Sequence, residues 1–326
     1  LTPSHSRMVK MPKLGVSACL LGQKVRSNGE AAEFRSLTRS WSHHFEMIGV
    51  CPEVGIGMGT PRPTTRLVKK DGKINLLNSE TDENFTQQMV EYAQLQSDAL
   101  IQSGISGFVF KNDSPSCGLE RVEVHRDGQL QSRDEAMGVF AMVFTTLNPH
   151  LPVIDEARLS DPVQAEHFLA RVEFLSLWLE EGRNGWTADK LMQFHNTNKL
   201  FLLSRSPSAK RSLGRLIANG FDRGDHPENV ALEYMTSAQQ SLNVLSKPGP
   251  IAHAMERVLG RVSSKLSSRE RQETLDVIHE YRRGSLPRSA PLTLLRRLVR
   301  RCGMENETHS RFISPTPLRL SLMAKV

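Results

Sequence analysis

The sequence predicts two unlike halves: an α/β N-terminal domain with a mostly parallel sheet, and an all-α C-terminal domain. Three observations carry that prediction. Apolar, β-branched runs alternate with helical patterns over residues 13–160, as strands joined by crossovers do. Beyond residue 160 the apolar spacing turns helical and no persuasive strand remains. The net charge of +7 also sits in the second half: residues 1–160 hold 17 Lys and Arg against 18 Asp and Glu, residues 161–326 hold 25 against 17.

The first half is organised around Gly107 to Gly118. Ile105 to Phe110 reads as a buried strand, and Asn112, Asp113, Ser114 and Pro115 end it in a turn leading to Cys117. Two earlier segments repeat the arrangement. Leu14 to Ala18 is strand-like and exits at Cys19, and Met47 to Val50 exits at Cys51. Adjacent strands lie about 4.8 Å apart. Were the three strands parallel neighbours, their C-terminal ends would share the edge at which open α/β sheets keep their sites. Three of the four cysteines would then meet there.

Between these strands, Glu30 to Phe45 reads as a crossover helix. Cys51 to Leu67, with Gly55, Gly57, Gly59, Pro61 and Pro63, reads as a rigid loop over Cys51, and it completes neither a phosphate-loop nor a dinucleotide motif. Arg26, Arg62 and Arg66 are candidate substrate contacts, since guanidinium suits an anionic ligand. A plain solvent-facing role is the alternative for Arg26. Asp71-Gly72 turns a hairpin. Asn84 to Gln102 has helical spacing of Phe85, Met89, Tyr92, Ala93 and Leu100. Arg121 to Leu130 is a second excursion turning at Asp127-Gly128. Glu135 to Leu147 is a helix, Leu151 to Ile154 a short strand, and Asp155 to Ser160 closes the domain.

In the second half, Pro162 to Glu181 reads as an amphipathic helix with Phe168, Val172, Leu175 and Leu179 on one face. Thr187 caps the next helix. Ser206-Pro207 starts a third, closed by Gly220, and Pro227 opens Glu228 to Leu245. Lys247 to Pro250 interrupts before Ile251 to Leu266. Ser267 and Glu270 fit a capping box, Gly284 stops that helix, and Pro291 to Cys302 is the last one. Lys199, Lys210, Arg211, Arg215, Arg282 and Arg283 are candidate RNA contacts; a solvated helix face is the alternative for each. His195 is open to two readings, a site residue or a buried, hydrogen-bonded histidine.

Composition narrows the class. Hydrophobic residues at 38% and charged residues at 24% are ordinary for a soluble globular protein. No apolar run approaches the roughly 20 residues of a membrane span. Leu1 to Lys13 lacks an apolar core, so no secretory signal is expected, and residues 1–12 are expected to form a flexible tail. Four cysteines in 326 residues do not make a disulfide scaffold, and a reducing cytoplasm suits them better. The basic second half points to a polyanion partner.

The intervals from Cys19 to Cys51 and on to Cys117 exclude a compact Cys-x-x-Cys ribbon, ferredoxin-like runs and the tight triplet of radical S-adenosylmethionine chemistry. Two readings of the three thiols stay open: inert core cysteines, which are common, or a cluster with three protein ligands and one open iron. Glu53, two residues after Cys51, and Ser114, three before Cys117, favour the second.

Ser17-Ala18-Cys19-Leu20-Leu21-Gly22, Cys51-Pro52-Glu53, Pro61-Arg62-Pro63 and Ser114-Pro115-Ser116-Cys117-Gly118 together resemble the TudS desulfidase domain over residues 13–160. Gln193 to Lys199 and Tyr281-Arg282-Arg283-Gly284 resemble the YbgA-type helical domain over residues 161–326, and residues from Cys302 onward fall outside that likeness. The pairing is similar to RudS-type proteins. The resemblance implies a [4Fe-4S] cluster on Cys19, Cys51 and Cys117, with Glu53 and Ser114 catalytic. It implies non-redox removal of sulfur from 4-thiouridine in tRNA, with the basic helical half binding the tRNA. A desulfidase for free thiouracil or thiolated nucleosides, and a non-enzymatic RNA-binding iron–sulfur protein, are the alternatives.

Overall fold

The computed structural model describes residues 11–126, 129–132, 136–304 and 310–325. Most of the expected tail, the Asp127-Gly128 turn and the Glu135 start of a helix lie outside them. The chain divides into two units, Leu1–Leu159 and Ser160–Val326. The first is α/β and the second is helical throughout its described residues, as the sequence predicts.

In the first unit, β1 (Lys13–Ser17), β2 (Glu46–Val50), β5 (Ile105–Phe110) and β8 (Val153–Asp155) form one all-parallel sheet in the order β2-β1-β5-β8. Successive crossovers leave β1 in opposite directions, so a topological switch point falls between β1 and β5. Every residue of β5 is buried. Phe108 and Phe110 share a face and pack, tilted or edge-on, against Phe140 and Phe144 of α3 (Val139–Leu147), with ring centroids 5.1–6.2 Å apart. Gly15 pairs with Phe108 across the sheet, and a Cβ there would sit 2.2 Å from the Phe108 ring. Glycine at that position is what lets the ring lie flat on the strand.

A second sheet has the order β4-β3-β6-β7. It comprises β3 (Thr65–Lys70), β4 (Lys73–Asn78), β6 (Val124–Arg126) and β7 (Gln129–Ser132). The hairpin at Asp71-Gly72 is present, both residues having positive φ. The two excursions, read separately in the sequence, pair with each other through parallel β3 and β6. Helix α2 (Thr86–Ser103) runs close to its expected span, burying Met89, Ala93 and Leu100, and the one-turn α4 (Glu156–Leu159) follows β8. The crossover helix expected over Glu30 to Phe45 does not form. A π turn (Ser36–Ser40) and a 3-10 turn (Trp41–His43) replace it. Ser36, Thr38, Ser40, Ser42, His43 and His44 crowd that stretch, and such residues propagate an α-helix poorly. The Cys51 loop also differs: its first residues form a one-turn helix, α1 (Pro52–Gly55).

In the second unit, α5 (Pro162–Glu181) matches its expected span but not its expected amphipathicity. It is buried on most sides, including Glu166, Arg171 and Glu173, while Leu179 is exposed. Then follow α6 (Ala188–Arg205), α7 (Pro207–Asp222), α8 (Pro227–Leu242), α9 (Pro248–Val262), α10 (Ser268–Arg283) and α11 (Ser289–Arg301). The Pro248-Gly249-Pro250 run begins α9 rather than interrupting ahead of it, because proline is tolerated in a first turn. Gly220 lies inside α7 rather than closing it. The Ser267/Glu270 capping box is complete and Gly284 closes α10 in the left-handed region. The helix ending at Cys302 is not the last, since α12 (Pro317–Met323) follows.

Helix α12 contributes to a buried ionic cluster. Glu166 accepts from Arg205 Nη2 at 2.6 and 2.8 Å and from Arg319 Nη2 at 2.9 Å, and lies 3.3 Å from Arg288 Nη1. Glu173 accepts from Arg319 Nη1 at 2.9 Å. The surrounding guanidiniums overcome desolvation and hold the Glu166 carboxyl well below its usual range. A carboxylate stabilised in this way contributes to folding above the unfolded value of about 4.3 and loses that contribution as pH falls. Glu166→Gln is therefore expected to destabilise the chain by about 3–5 kcal/mol at pH 7. The difference from wild type should shrink steadily below pH 4. Urea unfolding followed by far-ultraviolet circular dichroism at several pH values measures both, and a pH-independent difference would refute this account of Glu166.

Candidate active site

The C-terminal edge of the parallel sheet carries the thiols. Cys19 lies in a 3-10 turn (Ala18–Leu21) directly after β1, Cys51 caps α1 directly after β2, and Cys117 follows the loop leaving β5. Cys19 and Cys117 therefore flank the switch point. All three line one cleft of about 300 Å³, together with Glu53, Ser114, Arg26 and Arg62. They line it without closing on a single point. Among the described residues no three His, Cys, Asp or Glu side chains converge tightly enough to hold one metal ion.

Local bonding holds the segments that carry Cys19 and Cys117. Ser17 Oγ accepts from Lys111 N at 2.9 Å, tying the end of β1 to the end of β5. Ser114 Oγ accepts from Cys117 N at 3.0 Å and from Ser116 N at 3.3 Å, so the loop curls around the serine. The first turn of α3 then clamps that loop. Val139 N donates to Pro115 O at 3.0 Å and Ala141 N to Ser116 O at 3.1 Å, spending the free amides of a helix start on the loop's carbonyls. Glu156 joins the other end, accepting from Asn112 N at 2.6 Å and pairing with Lys111 Nζ at 2.5 Å.

Burial disfavours the thiolate form of all three cysteines. Burial pushes Cys51 up to about 12, with the Glu53 carboxylate adding to the shift. Burial and then Glu53 also raise Cys19 and Cys117. Cys51 Sγ donates to Glu53 Oε2 at 3.4 Å, and Arg62 Nη2 stands 3.7 Å from the same oxygen. Arg62 is otherwise engaged, donating through Nη1 to Val25 O and Gly59 O, both at 2.9 Å. It supports Glu53 and the loop rather than reaching freely into the cleft.

The structure thus brings Cys19, Cys51, Cys117, Glu53, Ser114, Arg26 and Arg62 together. Arg66 does not join them: it donates to Ser79 O at 2.7 Å and to Asp82 at 2.5 Å. The sequence assigns Ser17, Lys111 and Gly138 no individual role. Ser17 lies two residues before Cys19 and Lys111 at the exit of β5, a signal that was available, whereas nothing in the sequence marks Gly138.

In the helical unit, Lys199, Lys210 and Arg211 line one groove with His253, Arg257 and Arg261. Arg215, Arg282 and Arg283 lie outside it, and Arg283 pairs with Glu280. His195 is the buried, hydrogen-bonded histidine of the two readings, 3.2 Å from Tyr234 Oη, with burial lowering its pKa. Cys302 is buried at the end of α11.

Residues 14–156 match the family model described as 2-thiouracil desulfurase, and residues 199–317 match DUF1722, a family of unknown function. A solved structure of a [4Fe-4S]-dependent thiouracil desulfidase, TudS, is 28% identical to this chain. The match covers 46% of this chain and 93% of that one, with a TM-score of 0.35. No curated protein matches. No helix among the described residues is long and apolar enough to cross a membrane. The family match supports an enzyme of the desulfidase type in the α/β unit.

The clamp on Cys117 is testable without a substrate. A Cβ on Gly138 would fall 2.4 Å from Ser116 C and 2.8 Å from Cys117 N, both backbone atoms. Gly138→Ala is expected to cost about 1–3 kcal/mol by overpacking and to lower iron retained per chain after anaerobic reconstitution. Iron content and unfolding midpoint both equal to wild type would mean that the loop yields freely.

Proposed function

We propose that residues 13–160 form a [4Fe-4S]-dependent desulfidase, and that it converts 4-thiouridine in tRNA to uridine with release of sulfide. The observation that carries the reading is the single cleft that gathers three strand-exit thiols with Glu53 and Ser114, inside the stretch matching the thiouracil desulfurase family. The donor set suits the cofactor, because iron–sulfur clusters are held by cysteine thiolates. Thiols whose pKa is raised by burial give up their protons when a metal replaces them. Cys19, Cys51 and Cys117 would hold the cluster, which when bound supplies an iron lacking a protein donor and suited to a soft thiocarbonyl sulfur.

The chain's own groups handle the protons. A thiolate at Cys51 has no hydrogen to give Glu53, so ligation would release Glu53 Oε2 toward the cleft. That carboxylate can take a proton from a water attacking the thiocarbonyl carbon. Arg62 keeps the carboxylate in place. Ser114 Oγ already accepts from Cys117 N, which leaves its own O–H to donate into the cleft. Water provides the oxygen and both hydrogens, the C–S bond breaks as C–O forms, and hydrogen sulfide departs. No electron is gained or lost. The groove of Lys199, Lys210 and Arg211 supports phosphate contacts to tRNA.

The family description names 2-thiouracil, which favours a second reading: desulfuration of free thiouracil or thiolated nucleosides. Anaerobically reconstituted protein is incubated with thiolated tRNA and with 2-thiouracil, and near-ultraviolet absorbance and sulfide are followed. Turnover of the tRNA, weakening at least about tenfold between 50 and 200 mM salt, is expected if several phosphates are contacted. Turnover of the free base alone selects the second reading, and none with either leaves a non-enzymatic iron–sulfur protein.

Glu53→Ala is expected to lower turnover by at least about 100-fold while the cluster absorbance stays. A variant as active as wild type would remove Glu53 from the mechanism.

A further inference from the structure

The helical unit holds a cavity of about 560 Å³. It is separate from the groove of Lys199, Lys210 and Arg211. Its wall includes Glu166 and His167 of α5, Arg205 at the end of α6, Ser246 before α9, Arg288 after α10, and Lys325. Arg205 and Arg288 are only 8% and 3% exposed. Both draw on Glu166, and so does Arg319, whose other partner is Glu173. Three buried guanidiniums therefore share two carboxylates. One positive charge is left over inside the cluster, and a buried charge without a counterion is costly.

The hydrogen bonds point the same way. Five buried atoms on this wall have no partner among the described residues: Arg205 Nε, Arg288 Nε and Nη2, Ser246 Oγ and His167 Nδ1. Buried polar atoms are seldom left so. The three guanidinium nitrogens can only donate, and the hydroxyl can donate as well. Arg288 Nε and Nη2 form one complete edge of its guanidinium, the fork that grips two oxygens of an oxyanion. The site is rich in donors, short of acceptors and short of negative charge.

We propose that this cavity binds a phosphate monoester, with phosphate oxygens on the Arg288 fork and Arg205 Nε. A phosphate monoester brings three acceptor oxygens for the unpartnered donors, and its nearly two negative charges answer both the surplus guanidinium and Lys325 on the wall, which a carboxylate does not. Leu245 and Ile251, also on the wall, give the organic part an apolar side to rest on. The inference is independent of the desulfidase reading, since every residue in it belongs to the helical unit.

Thermal unfolding of the full chain at constant ionic strength tests it. Inorganic phosphate and uridine 5′-monophosphate are each expected to raise the midpoint by several degrees at saturating concentration. Uridine and acetate are expected to leave it unmoved. Arg288→Met is expected to abolish the shift without lowering the midpoint in the absence of phosphate, because it removes the surplus charge. Ser246→Ala keeps every charge and guards against a variant that fails to fold. It is expected to weaken phosphate binding roughly threefold or more by calorimetric titration. The proposal is overturned if wild type does not respond to phosphate, or if acetate or sodium chloride produces an equal shift. It is overturned equally if phosphate acts undiminished on Ser246→Ala and on folded Arg288→Met.

Discussion

A parallel sheet delivers the ends of all its strands to one edge, and the rest of the first unit depends on that constraint. Three segments far apart in the chain, ending at Cys19, Cys51 and Cys117, become neighbours because β2, β1 and β5 run side by side in one direction. An antiparallel β1 would carry Cys19 to the far edge, with no cleft shared. The core is built to hold this arrangement. Gly15 clears space for Phe108, and the rings of Phe108 and Phe110 brace β5 against α3, whose first turn holds the Cys117 loop. Packing and site geometry are thus consecutive links of one chain of contacts.

Much of this was legible in the residues, for a physical reason. Strand exits marked by cysteine are local signals, and a parallel sheet follows from strands that alternate with crossover segments along the chain. What was illegible depends on partners distant in sequence. The pairing of β3 with β6 rests on a parallel register between hairpins about fifty residues apart, which no local pattern announces. Arg66 looked like a pocket charge because it follows the Pro61-Arg62-Pro63 turn. Strand β3 carries it outward to Asp82 instead. Gly138 matters through a backbone approach to Ser116, and a glycine before an apolar run resembles any loop glycine. The crossover over Glu30 to Phe45 failed for the opposite reason: its place between two strands suggested a helix, and its Ser, Thr and His content disfavours one.

The helical half shows the same division. Caps are short-range, and the Ser267/Glu270 box, the Thr187 cap and the Gly284 stop all stand where local chemistry puts them. The interior of α5 was misread because its charged residues imply a solvent face. Glu166 and Glu173 are buried by arginines from α6, from the loop after α10 and from α12, the last of them about 150 residues away. A charged residue can enter a core only with partners, and those partners are invisible until the chain folds.

Each unit holds a polar set shaped by burial, neutral thiols in the first and surplus guanidinium in the second. At the sheet edge, three thiols sit beside Glu53 with their pKa values raised, so the protein alone disfavours negative charge there. A cation is what would reverse that preference. Behind α5, three guanidiniums meet two carboxylates, and the protein alone is left with excess positive charge and donors that lack acceptors. An anion is what would reverse this one. Folding free energy is a small difference between large terms, and a surplus buried charge is expensive on that scale. A cation among the thiols would lie within reach of Glu53 and Ser114, and an anion at the guanidiniums would lie among the helices of the second unit.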